Sequence, residues 1–194
     1  MTDWEKFFEQ KIKEIAEAKE VLDVGGGKKF QKSLSSYQEL FKDCHYQTLD
    51  NVAEYEPDIL GDITNIPLKD GEVDAVICKA VLEHVANPFL AVSEIHRILK
   101  PAGKCLGYVP FLYPIHAEAG KYGDYWRFTE QGLRNLLKGF SQVEICPVRG
   151  SLETMFYLLP MPFLRRVISP MARRIDNIFK TKGQPSGYYF FAVK

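Results

Sequence analysis

Val21-Leu22-Asp23-Val24-Gly25-Gly26-Gly27 is the stretch on which the fold turns. Three of its first four residues are apolar, the pattern of a short buried strand, and the glycine run stops that strand abruptly. Bare backbone, an acidic side chain and an expected helix start then meet at the carboxyl edge of a sheet. Doubly wound α/β folds bind nucleotides at that edge. A tight turn with no ligand would need the same glycines, so the residues around it have to decide.

Outward from this turn the chain alternates. Residues 46–50, 58–60, 73–78, 104–109, 142–148 and 187–193 read as further strands, the last of them as Gly187-Tyr188-Tyr189-Phe190-Phe191-Ala192-Val193. Trp4, Phe7, Phe8, Ile12 and Ile15 recur at helical spacing and predict an amphipathic helix over the first eighteen residues. Residues 88–99 predict another, with Asn87 as cap and Pro88 in the first turn; residues 129–137 predict a third, capped by Thr129. Strands alternating with helices imply one α/β domain over residues 1–194, a doubly wound, mostly parallel sheet with helices on both faces. Residues 151–182 are too apolar for a loop and predict a helical insertion before the last strand, cut into short pieces by Pro160, Pro162 and Pro170.

Composition narrows the function. The 194 residues carry 25 basic and 25 acidic side chains, so there is no global attraction to nucleic acid. The charge is uneven: residues 1–150 hold 18 basic and 23 acidic side chains, whereas residues 151–182 hold 6 and 2. That basic, apolar insertion predicts a lid over a substrate opening, a homodimer contact or a peripheral membrane-surface element. Cys44, Cys78, Cys105 and Cys146 stand singly, with no C-x-x-C pair, which predicts free thiols and no metal site. The first residues lack the basic start and apolar run of a signal peptide, and residues 155–164, the longest nearly uncharged apolar run, are too short to span a bilayer. A cytoplasmic protein, peripheral at most to the inner face of a membrane, is the expectation.

Spacing then sharpens the glycine turn. The fingerprint G-x-G-x-x-G, aligned on Gly25 and Gly27, would need glycine where Phe30 stands, which argues against a nicotinamide dinucleotide. Asp50 ends the next strand at the distance expected of a carboxylate that accepts two ribose hydroxyls. Asp62, in Gly61-Asp62-Ile63, follows the third strand, where it could accept from an adenine amine while Ile63 packs on the ring. Asp23, Asp50 and Asp62 thus sit at the ends of successive strands.

These motifs, with Val73-Asp74-Ala75-Val76-Ile77-Cys78-Lys79-Ala80-Val81-Leu82-Glu83-His84-Val85 and Glu94-Ile95-His96-Arg97-Ile98-Leu99-Lys100-Pro101-Ala102-Gly103, resemble the class I S-adenosylmethionine-dependent methyltransferases of the type 11 group over residues 20–150. The resemblance implies a seven-stranded sheet with the last strand antiparallel. It implies S-adenosyl-L-methionine as cofactor, with Asp23, Gly25, Gly26 and Gly27 near the methionine moiety, Asp50 on the ribose, Asp62 and Ile63 at the adenine, and backbone at Lys79 facing the methionine part. Lys29 stands where the family usually has a third glycine. A lysine there is expected to narrow the loop, and it leaves a non-catalytic, methyltransferase-like binding module as the second reading.

The long loop after the fifth strand, with Tyr113, His116, Asp124, Tyr125, Trp126 and Arg127, is the candidate acceptor site. Methyl transfer to a hydroxyl requires a base, and His116 oriented by Asp124 would serve. Tyr113, Tyr125 and Arg127 are expected to bind the substrate, Arg127 through a carboxylate or phosphate. The string from His116 to Thr129 resembles type 11 enzymes of cell-surface polysaccharide biosynthesis, which implies O-methylation of a small-molecule or glycan-linked acceptor. Glu83-His84 is read as shaping the turn after the fourth strand, and His45 and His96 are given no chemistry.

Overall fold

The computed structural model describes residues 1–30, 32–159, 162–179 and 183–194. Pro160, Lys180 and Lys182, counted above in the insertion, lie outside the described residues, as do the side chains of Arg165 and Arg166.

The strands β1 (Glu20–Val24), β2 (His45–Asp50), β3 (Ile59–Leu60), β4 (Val73–Lys79), β5 (Leu99–Pro110), β6 (Gln142–Val148) and β7 (Gly187–Val193) form one sheet in the order β3-β2-β1-β4-β5-β7-β6. Only β7 runs antiparallel, pairing β5 on one side and β6 on the other. Alternation along β7 shows how the sheet divides its core. Tyr188, Phe190 and Ala192 face one layer with Ile95, Ile98 and Leu133, while Tyr189 and Phe191 face the other with Phe8, Ile12 and Ile15.

Helix α1 (Asp3–Ala16) starts at a reciprocal cap, in which the Thr2 side chain accepts from Glu5 N–H and the Glu5 carboxylate accepts from Thr2 N–H. It packs on β5, β6 and β7. Lys11, buried on that face, places Nζ 2.7 Å from Glu144 and 4.2 Å from the centre of the Phe191 ring. Helices α2 (Pro88–Ile98) and α3 (Glu130–Leu136) are capped by Asn87 and Thr129, as their sequences predict.

Two expectations are corrected. The helix expected after the glycine turn is a 3₁₀ segment, Lys32–Phe41. Serines crowd its first turn, and Ser36 Oγ donates to Ser33 O at 3.3 Å, a local bond that competes with helical pairing. The insertion forms α4 (Ser151–Leu158) and α5 (Pro162–Phe179), and α5 runs through Pro170 rather than breaking there. An interior proline costs a helix about 3 kcal/mol. Contacts beyond it offset that cost: Asp176 accepts from the backbone of Leu152 and Glu153 at the start of α4, and Arg173 Nη2 lies 2.7 Å from Glu153. Gly150 admits this packing because a Cβ there would meet the Asp176 side chain at 2.3 Å. Among the described residues no helix is long and apolar enough to cross a membrane.

Gly107 on β5 lies under the Phe190 ring, where an added Cβ would meet ring carbon at 2.2 Å and Cys78 O at 2.5 Å. Gly107→Ala is therefore expected to destabilise the fold by about 1–3 kcal/mol through overpacking, read as a lower urea midpoint. An unchanged midpoint would mean that Phe190 moves aside at no cost.

Candidate active site

The parallel strands β3, β2, β1, β4 and β5 all end on one edge, and a cavity of about 530 Å³ runs along it. Its walls follow strand order: Asp62 and Ile63 beyond β3, Asp50 at the end of β2, Gly25, Gly26 and Gly27 after β1, Lys79 at the end of β4, His116 beyond β5. The volume suits a cofactor-sized ligand.

The glycine turn is dictated by its surroundings. Gly25 has φ +65°, and a Cβ there would meet the Val81 side chain at 2.4 Å; at Gly26 a Cβ would meet Asp23 Oδ2 at 2.4 Å. Gly27 N–H donates to Asp50 Oδ2 at 3.1 Å and Val52 N–H donates to Oδ1 at 2.9 Å, which fixes the Asp50 carboxylate at the cavity wall. Asp62 Oδ1 accepts from the Thr64 backbone and hydroxyl, both at 2.7 Å, so Oδ2 is the atom left for a ligand. Lys29 turns away from the cavity to Asp58, 2.9 Å distant, and does not narrow the loop. The Lys79 ammonium reaches the Ser33 hydroxyl and lies 4.8 Å over the Phe8 ring.

Asp23 is buried beneath the turn and accepts from the Tyr46 hydroxyl at 2.5 Å. Burial raises its carboxyl to about 7, with Asp50 adding to the rise and Tyr46 and Lys79 opposing it.

The acceptor loop is stapled to the turn after β4. Tyr125 N–H and Trp126 N–H both donate to Glu83 O, and the Trp126 indole donates to Val85 O at 2.9 Å. Arg127 closes the loop from inside. Its five N–H groups go to Tyr113 O, Trp126 O, Pro114 O and both oxygens of Asp124, leaving none for a substrate carboxylate or phosphate. The guanidinium holds Asp124 well below the usual carboxylate range. Asp124 also accepts from His116 N–H at 2.9 Å, whereas its distance to His116 Nδ1 is 3.4 Å. The imidazole is instead oriented by Pro114 O, 3.1 Å from Nδ1. Tyr113 meets the Tyr157 hydroxyl of α4 at 3.2 Å and stands behind His116, outside the cavity wall; Tyr125 lies on the wall.

Sequence reasoning passed over Glu83 and His84 as turn residues, and did not single out Tyr122. His84 and Tyr122 line the cavity beside His116, and Glu83 is wholly buried behind them. Glu83 Oε1 lies 3.7 Å from His116 Nε2, and that carboxylate raises the His116 pKa above the usual imidazole value against the opposing effect of burial.

The comparisons agree with this geometry. The methyltransferase-domain family model of type 11 matches residues 22–107. An uncharacterized protein of Methanocaldococcus jannaschii is 31% identical over 170 residues, 84% of this chain and 74% of that one. An uncharacterized chloroplastic methyltransferase of Arabidopsis thaliana is 30% identical over 103 residues, 47% of this chain and 29% of that one. A crystal structure of an S-adenosylmethionine-dependent methyltransferase from Archaeoglobus fulgidus superposes with TM-score 0.64 at 17% identity, covering 97% of this chain and 92% of that one. The chain belongs to the methyltransferase-domain family. It is an S-adenosylmethionine-dependent methyltransferase.

Asp23 generates a pH dependence. Its folded pKa lies above its unfolded value, so its stabilising contribution is whole below about pH 4 and is lost as pH rises through about 7. Asp23→Asn keeps an acceptor for Tyr46 and cannot ionise. Relative to that variant, the cofactor-free wild type should lose about 2–4 kcal/mol of unfolding free energy between pH 4 and 8; parallel urea curves across that range would refute the assignment.

Proposed function

We infer that the enzyme methylates a hydroxyl oxygen of a small or glycan-linked acceptor entering between His116 and Tyr125. One observation carries this reading: the His116 side chain, with Nε2 3.7 Å from the Glu83 carboxylate, lines the same cavity as the glycine turn and Asp50.

The residues of the β3-to-β4 edge suit the cofactor. The turn admits no Cβ at Gly25 or Gly26, so backbone lies open there, and Asp50 is held in place by two backbone amides. Asp50 would take the ribose hydroxyls, Asp62 Oδ2 the adenine amine, Ile63 the ring face, and the backbone at Lys79 the methionine part. S-Adenosylmethionine, when bound, supplies a methyl group on a sulfonium, open to in-line attack by an oxygen nucleophile.

The remaining work falls to the acceptor loop. Pro114 O can only accept, so His116 Nδ1 carries the proton and Nε2 presents its lone pair. Nε2 is the atom that takes the hydroxyl proton, and Glu83 stabilises the charge that results. Asp124 acts one step back, holding the His116 backbone and Arg127. The rings of Tyr122 and Tyr125 offer apolar faces with polar tips to a sugar or small ring. Through the Tyr157–Tyr113 contact, α4 forms an outer wall of the loop, which supports the lid reading of the insertion.

His116→Ala should lower kcat about 100-fold while leaving S-adenosylhomocysteine affinity unchanged by calorimetry. Asp50→Ala should do the reverse, weakening the ligand by about 1.5–3 kcal/mol. The acceptor would come from a methyl-transfer screen over nucleotide sugars and lipid-linked saccharides. Transfer only to amines or thiols would overturn the hydroxyl assignment.

A further inference from the structure

Glu83 is wholly buried, and neither of its carboxylate oxygens has a hydrogen-bond partner. A buried carboxylate left in that state costs several kcal/mol unless a cation meets it. Two imidazoles converge on the same point. His116 Nε2 lies 3.7 Å and His84 Nε2 4.0 Å from Glu83 Oε1, with the ring centres 4.7 Å apart. Both tautomers are set from behind by groups that can only accept: His84 Nδ1 lies 2.5 Å from Gly123 O, and His116 Nδ1 3.1 Å from Pro114 O. Each Nδ1 therefore carries hydrogen, and each Nε2 is left as an acceptor within 4.0 Å of the carboxylate. Three acceptors face one another across a gap that holds no donor of their own.

We propose that Glu83, His84 and His116 form a binding site for a divalent first-row metal ion, of the Zn²⁺ type, at the acceptor end of the cavity. The ligand atoms lie within 4.8 Å of one another. Metal–ligand distances of about 2.0–2.2 Å put the ligands of one tetrahedral ion roughly 3.3–3.6 Å apart, so the two nitrogen–oxygen separations of 3.7 and 4.0 Å close by a few tenths of an ångström, and the third pair, within 4.8 Å, closes by about 1.5 Å at most through rotation of the two rings. A ring N–H given to a backbone carbonyl is the usual support behind a metal-bound imidazole, and here both rings have it. One proton on His116 would satisfy Glu83 yet leave the His84 lone pair facing an acceptor; a divalent ion serves all three. Two imidazoles and a carboxylate suit Zn²⁺, Mn²⁺ or Fe²⁺. His84 and His116 line the cavity, so the open coordination position faces the acceptor. An acceptor hydroxyl bound there would lose its proton to water more readily. With the ion in place His116 is a ligand; in the metal-free protein its Nε2 takes the proton.

The test uses the full chain, freed of metal by a chelator and titrated with Zn²⁺ by calorimetry and with Co²⁺ by absorption. We expect one ion per chain, a rise in melting temperature on Zn²⁺ addition, and at least about tenfold weaker binding in His84→Ala and in His116→Ala. Glu83→Gln should behave alike; should it fail to fold, the two histidine variants on the cavity wall decide. Absence of stoichiometric binding, binding that survives both histidine variants, or a thiolate-to-cobalt charge-transfer band from the free cysteines would each overturn the site. No acceptor enters this measurement, so its failure and the failure of hydroxyl methylation are separate results.

Discussion

The backbone after β1 has to pass between the Val81 side chain and the Asp23 carboxylate, and neither leaves room for a Cβ. From that squeeze the cofactor edge follows. Chain forced into the turn aims Gly27 N–H at Asp50, and Asp50 in turn holds the start of the next loop through Val52 N–H. Asp23 keeps its place through Tyr46, on the neighbouring strand β2, so the turn, its floor and the first ligand carboxylate form one connected unit. The burial of Asp23 that this requires is what lifts its carboxyl far from the ordinary range.

The acceptor side is organised by a different device. Arg127 gathers Tyr113, Pro114, Trp126 and Asp124 by hydrogen bonds from a single planar group. Because all its donors point inward, the loop holds its shape without help from a bound substrate. Pro114 O, one of the atoms so held, is also the group that sets the His116 ring. Loop clamp and reactive side chain are thus one bond apart.

Hydrophobic period was enough to locate single strands: the bounds of β6 and β7 read from residues 142–148 and 187–193 agree with the structure residue for residue, while the antiparallel direction of β7 came from the family resemblance. The cofactor edge was legible because strand ends are local features, and carboxylates beyond successive parallel strands must share an edge. What stayed hidden depends on contacts distant in sequence. The turn of His84 toward His116 is set by Gly123, 39 residues away, and the saturation of Arg127 by carbonyls that a sequence does not display. The 3₁₀ segment after the glycine turn escaped because the helix start expected there rested on the turn alone, with no reading of the residues that follow. Pro170 misled for the opposite reason: a local rule lost to the ties of Arg173 and Asp176, beyond it on α5, to the start of α4.

The excursion through α4 and α5 leaves the sheet at Val148 and returns at Gly187, and these two residues are paired neighbours. Ser186 N–H already closes onto Val148 O at 2.9 Å, so the hairpin of β6 and β7 is complete at its own base. In topological terms the two helices hang from a closed ring. Among the described residues the strand pairing of the sheet is complete without them. Their hydrogen bond to the acceptor loop runs through the Tyr157 hydroxyl, far from the glycine turn. The two helices are therefore an appendage to a sheet whose β1–β4 edge is built without them.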